Sequence, residues 1–133
     1  VMAGVLQELG LLLDNRDYRD RASRMLLTMK DELLKNPSAH ANWLSRWLFA
    51  TEGILEIAVI GPGAAEMGLD IQQSFLPNLV IMTGPDADPN YPLLANRPTG
   101  KSPLIYVCRD YACLRPVVDL DSAARDLFIA TKQ

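Results

Sequence analysis

Two cysteines, Cys108 and Cys113, sit in the stretch YVCRDYACLRP from Tyr106 to Pro116, separated by four residues. A thiol pair can form a disulfide, exchange with other thiols, or contribute to a metal site. Structural zinc asks for about four nitrogen or sulfur ligands. The chain offers two cysteines and one histidine, His40, so no metal and no cofactor are expected. Thioredoxin-type dithiols use a two-residue spacer at a helix start, where the dipole stabilises a thiolate. Here the spacer is Arg-Asp-Tyr-Ala, and Pro116 opposes a helix directly after Cys113. The spacing fits a turn instead: a strand ending at Cys108, four residues of reversal, and a return through CLRPVV. That path can bring the two positions within the ~6 Å Cα separation of a disulfide. Arg109 and Arg115 beside the cysteines would favour thiolate. Two reduced, buried thiols fit the same spacing, so the disulfide or redox reading and the inert reading both stay open.

The remaining residues with chemical potential are weaker candidates. His40 lies at a helix start among Ser38, Asn42 and Trp43 without a partner for a triad or a metal, and reads as a polar first-turn residue. Trp43 and Trp47, four apart on one helical face, could line a sugar cleft, although core packing is the commoner use of such a pair. VIGPGAAEMG places Gly61 and Gly63 between a strand and a helix, where a phosphate loop would lie. The dinucleotide fingerprint needs a further glycine three residues on; Glu66 stands there and no Walker lysine follows. A tight turn accounts for both glycines. The carboxylates Asp17, Asp20, Asp31, Glu32 and Glu52 read as solvated helix faces, and no catalytic residue is assigned.

The elements that must carry these residues change character at Gly53. Before it, Met2, Val5, Leu6, Leu9, Leu12 and Leu13 recur at helical spacing, then Tyr18, Ala22, Met25, Leu26, Met29 and Leu33, then Ala39, Trp43, Leu44, Trp47 and Leu48. Asp14, Asn15 and Asp17 turn and cap the chain between the first two helices, and Asn36 and Pro37 suit the start of the third. After Gly53, ILEIAVIG reads as a strand. A helix follows, with Ala64, Met67, Ile71 and Phe75 inward and Pro77 as terminator. NLVIMTG is a second strand, parallel to the first through the helical crossover. Residues 84–103, dense in Pro, Gly, Asn and Asp, form an irregular connection with one helical turn at YPLLAN. LIYVC is a third strand. DSAARDLFIAT closes the chain as a helix with Ala124, Leu127 and Phe128 inward. The expected fold class is mixed α/β: a helical segment, 1–52, followed by a small three-layer α/β unit, 53–133, with about three mainly parallel strands.

Composition bounds what such a chain can do. At 133 residues, 49% hydrophobic and 22% charged, it matches an ordinary globular chain. Its net charge of −3 argues against a nucleic-acid surface, which needs a basic patch. Its apolar runs are too short for a bilayer, and two cysteines make no disulfide scaffold, so a cytoplasmic setting without nucleic-acid or membrane partners is expected. The opening VMAGVLQELG already lies inside a helical pattern, and the chain is expected to be a piece of a longer protein.

YVCRDYACLRPV resembles the carboxy-terminal signature of the thioredoxin-domain-containing family that includes spermatogenesis-associated protein 20: Tyr-Val-Cys, a short polar-aromatic segment, a second Cys, and Pro three later. The likeness extends back through VMAGVLQELGLLLDNRDYRDRASRML, EIAVIG, FLPNLVIMTG and PLLANR, and so covers nearly the whole chain. Asp110 stands where the family pattern leads one to expect Asn. The resemblance implies a thioredoxin-like domain followed by an (α/α) toroid of the six-hairpin glycosidase and epimerase kind. Helices 1–52 would be its last turns and 53–133 its appendage. The expected role is then a structural or interaction module whose partner is the remainder of the parent chain, or a second copy bound through helices 1–52. The alternatives are a thiol-redox module using Cys108 and Cys113, or one wall of a carbohydrate-processing toroid with Trp43 and Trp47.

Overall fold

A computed structural model of the protein describes residues 2–74 and 78–130, the last three of these by their backbone alone. The chain divides into two compact units, Val1–Gly53 and Ile54–Gln133.

The first unit is helical: α1 (Met2–Leu12), α2 (Arg16–Lys35), a 3-10 turn (Ser38–His40) and α3 (Ala41–Glu52). Asp14 ends the α1 region at a φ of 47°. Asn15 then starts α2 with its side-chain oxygen, which accepts the Tyr18 N–H at 3.1 Å and satisfies one donor that the helix leaves orphaned. Arg19 reaches back to the Gly10 carbonyl at 3.0 Å and to Asp14 at 2.9 Å, which fixes the turn between the helices. α2 buries Ala22, Leu26 and Leu33, as its spacing predicts. α1 does not follow its large residues. It buries Ala3, Gly4, Leu6 and Gly10, while Met2, Val5, Leu9 and Leu13 are exposed. Small residues let the backbone approach neighbouring side chains closely. A β-carbon on Gly4 would lie 2.7 Å from the Arg46 guanidinium, and one on Gly10 2.7 Å from Arg19 Cγ. α3 is tied to α1 by polar contacts: Arg46 pairs with Glu8 at 2.8 Å, and Gln7 donates to the Arg46 carbonyl at 2.9 Å. Asn36 and Pro37 do not open α3. Asn36 closes α2 by donating to the Glu32 carbonyl, and Pro37 precedes the 3-10 turn. The positive φ of Gly53, 80°, ends α3.

The second unit is mixed α/β. Its order is β1 (Leu55–Ile60), α4 (Ala64–Gln72), β2 (Leu79–Gly84), β3 (Leu104–Arg109), β4 (Ala112–Cys113) and α5 (Leu120–Ala130). Among the described residues the sheet has four strands in the order β2-β1-β3-β4. The pair β1–β2, joined through α4, is parallel; β1–β3 and β3–β4 are antiparallel. The expectation of mainly parallel strands is thus corrected. The cause is the connection 85–103, which is no helical crossover and returns the chain alongside β1 in the opposite sense. The three-layer expectation changes with it. Leu55, Ile57, Val59, Ile105 and Val107 form one sheet face and pack with Ala64 and Ile71 of α4 and Ala123 and Leu127 of α5. Ala124, expected inward, is exposed. The other face carries Glu56, Ala58, Tyr106 and Cys108. It meets the irregular segment, which turns helically at Tyr91–Ala95 and buries Leu93 and Leu94. β1 is buried on both faces throughout. Phe75 and Pro77 lie outside the described residues, as does the side chain of Phe128.

Candidate functional site

The site grows from strand register. Glu56 on β1 pairs with Cys108 on β3, and Cys108 pairs with Cys113 on β4. Directly opposed residues project from the same side of a sheet, so the carboxyl and both sulfurs form one row with Val80 of β2 at its end. Cys108 and Cys113 are joined as a disulfide, with their Cα atoms 3.9 Å apart. The strand, turn and return read from the sequence are therefore realised, and past β4 the chain keeps running beside β3 through the mutual backbone bonds of Ile105 and Val117.

Two residues, Asp110 and Tyr111, make the turn, with φ of 49° and 63°. Positive φ at both central positions is the mirror-image turn that matches the twist of a hairpin, and it favours Asn-Gly. Asp tolerates this conformation; a tyrosine is held in it against its preference. The Tyr111 N–H is satisfied by Glu56, whose Oε2 accepts it at 3.0 Å. One carboxyl thus touches the turn that closes the disulfide loop and faces the first cysteine of that loop.

Glu56 is fully buried, and its Oε1 has no hydrogen-bond partner among the described residues. Burial raises the pKa of its carboxyl above the ordinary value, and the nearby Asp110 charge adds to this; the Tyr111 and Asp110 backbone donors and Arg97 pull the other way. Cys108 is 1% exposed, whereas Cys113 is only half-buried. The cation beside the sulfurs is Arg97, from the irregular segment. It donates through Nη2 to Cys113 Sγ at 2.8 Å and through Nε to the Leu93 carbonyl at 3.2 Å. Its guanidinium lies over the Tyr106 ring at 5.1 Å, and the Tyr106 hydroxyl donates to the Pro98 carbonyl. Burial raises the Tyr106 pKa, with Arg97 opposing.

The arrangement joins a bridged cysteine pair, one residue half-buried and one buried, to a cation at the sulfur of the half-buried cysteine and a buried acid opposite the other. Sequence reading pointed to Cys108 and Cys113 but assigned the cation to Arg109 and Arg115, and it missed Glu56 and Arg97. A lone charged residue inside an otherwise apolar run such as LEIAVI was the available signal for Glu56, because strands buried on both faces read as continuous apolar runs.

The other candidates belong to other elements. His40 is half-buried at the end of the 3-10 turn. Trp43 and Trp47 are both half-buried on α3. Trp47 borders an open groove with Lys30, Leu33, Leu34 and Leu44, in which the one polar side chain is lysine. Gly61 and Gly63 have φ of 117° and 79°, so the strand-to-helix turn itself requires them; Glu66 lines the cleft above them. Among the described residues no three His, Cys, Asp or Glu side chains gather as a metal site, and no helix is long and apolar enough to cross a membrane.

No protein-family model matches the chain, and neither a curated protein nor a solved structure matches it.

Proposed function

We propose that the α/β unit is a thiol–disulfide module whose working pair is Cys108 and Cys113. The observation that carries this reading is the asymmetry of the bridge: Cys113 is only half-buried and accepts from Arg97 at 2.8 Å, while Cys108 is buried beside a buried carboxyl. A cation at an accessible sulfur stabilises the thiolate that exchange chemistry needs. A cytoplasmic setting fits the reading, because disulfides in that compartment are mostly transient and catalytic or redox-sensing. The test is a dithiothreitol series on the folded chain, quenched by maleimide and read by mass. Two alkylated thiols should appear while the circular dichroism stays that of the folded protein. Reduction only after urea unfolding would make the bond a static brace.

A second observation favours a role as an interaction module for the helical unit. α3 buries no residue, and Leu34 and Leu48 are 74% and 55% exposed. In this reading the helices are the last hairpins of a toroid of the thioredoxin-domain-containing kind, and the remaining helices of the parent chain cover these leucines. The isolated chain should then bind anilinonaphthalene sulfonate or dimerise through residues 1–52, and Leu34→Glu with Leu48→Glu should abolish both. A monomer in sedimentation that binds no dye removes the basis for this role.

A further inference from the structure

The thiol–disulfide reading leaves one part of the row without a task. A fully buried glutamate with an unpartnered oxygen is costly and calls for a reason, and Glu56 stands opposite the sulfur that solvent does not reach. We infer that Glu56 is the proton-transfer group of this disulfide, giving a proton to Cys108 when the bond opens and receiving it when the bond closes, while Arg97 holds Cys113 as a thiolate. The inference rests on the thiol–disulfide reading and names the substrate class as an external dithiol.

Access fixes the direction of the exchange. A thiolate of the external dithiol attacks Cys113 Sγ, since Cys108 is closed to solvent. The bond between the two cysteines breaks, and its electron pair leaves on Cys108 Sγ. In a buried apolar row a bare thiolate there is strongly disfavoured. Glu56 supplies the proton: opposed Cβ atoms in an antiparallel pair stand about 4.5–5.5 Å apart, within the span of the two side chains. The second thiolate of the dithiol then attacks its own bridged sulfur. That mixed disulfide breaks, and the electron pair goes to Cys113 Sγ beside the Arg97 guanidinium. The dithiol ends as its disulfide, having lost two electrons and two protons. The protein ends with Cys108 as thiol and Cys113 as thiolate, and Glu56 regains its proton from solvent.

The surroundings suit the assignment. Burial favours the protonated carboxyl, as the donor step requires. The groups facing Glu56 are Arg97 from the irregular segment, Asp110 and Tyr111 in the turn, Tyr106 on β3 and Cys113 on β4; β2 presents Val80 and Met82, and α4 and α5 lie on the opposite sheet face. The Tyr111 and Asp110 backbone donors and Arg97 favour the carboxylate, but burial outweighs them, and the Arg97 guanidinium is directed to Cys113 and to the Tyr106 ring.

The experiment is reduction of the oxidised full chain by dithiothreitol from pH 5 to 9, with the rate constant expressed per reagent thiolate. For the native sequence this constant should fall as pH rises through the titration of Glu56. In Glu56→Gln it should be about tenfold lower or more at the acid end and lose that inflection, with partial rescue in Glu56→Asp. Infrared difference spectra of the native chain give a reading that does not depend on any variant folding: as pH rises, the oxidised protein should keep one protonated carboxyl band after those of its exposed carboxyls are lost. Equal, pH-independent constants for native and Glu56→Gln chains, or no such band, overturn the proton role while leaving the exchange chemistry intact. A pair that dithiothreitol cannot open in any folded variant overturns both.

Discussion

Glu56 and Cys108 face each other across β1 and β3, and the same carboxyl accepts the N–H of Tyr111 in the turn between the two cysteines. This couples stability to pH with a definite sign. The folded pKa of Glu56 is raised, so the fold binds a proton more tightly than the unfolded chain does. Its contribution is complete below the unfolded value, roughly 4.3, and is lost as pH rises through the folded one. With the disulfide intact, the urea midpoint of the native chain should therefore decline over that window relative to Glu56→Gln, and the gap should widen towards neutral pH. Parallel curves would mean that the carboxyl is solvated. Asp119 acts oppositely. Its oxygen accepts the Ser122 N–H at the start of α5 and its pKa is lowered, so its contribution is lost as pH falls through that lowered value.

The small-residue side of α1 gives a contrast between two glycines. Alanine raises helix propensity by about 1 kcal/mol at either position. At Gly4 the new methyl meets the mobile end of Arg46, which can shift. At Gly10 it meets Arg19 Cγ at 2.7 Å, and behind it the Arg19 nitrogen and the Asn15 carbonyl at 3.1 and 3.3 Å, which are backbone. Gly10→Ala should thus destabilise by about 1–2 kcal/mol net of propensity, and Gly4→Ala should be near neutral. Thermal melts of the two variants decide it; equal effects would mean that the helices separate freely.

What the sequence made legible follows from what periodicity can encode. The spacing of Ala22, Leu26 and Leu33 located the buried stripe of α2 because that helix has one apolar face. α1 is apolar nearly all round, so spacing alone could not tell that Gly4 and Gly10, and not Leu9 or Leu13, meet the neighbours. The Cys108 to Cys113 reversal was legible from turn chemistry and Pro116. Strand direction was not, because β-branched runs look alike whichever way they run. The placement of Arg97 on Cys113 depends on an irregular segment whose path has no period. Glu56 was legible only as the one charge in an apolar run; the irregular segment that covers its face of the sheet leaves no such mark in the sequence.

Asn15 tests how far local capping sets the helical unit. Its side chain takes the Tyr18 N–H, and its carbonyl receives the Arg19 N–H at 3.3 Å. Asn15→Ala removes the first bond and keeps the second, and should cost about 1 kcal/mol. Asn15→Asp keeps the acceptor and adds charge at the positive end of α2, so it should match or exceed the native stability. Urea titrations of both variants check the order; a loss with Asp as large as with Ala would remove the cap as the cause.

Tyr111 carries the sharpest test of the hairpin. Its φ of 63° places a bulky side chain in the left-handed region, at a cost of about 1–2 kcal/mol. Glycine adopts that conformation freely but gives the unfolded chain more entropy to lose, about 0.4–1 kcal/mol. The backbone N–H is kept, so the bond to Glu56 survives the change. Tyr111→Gly should therefore stabilise the oxidised chain by roughly 0.5–1 kcal/mol in urea titrations. If the variant is instead less stable by a comparable amount, the half-buried ring contributes more to the hairpin than its backbone conformation costs.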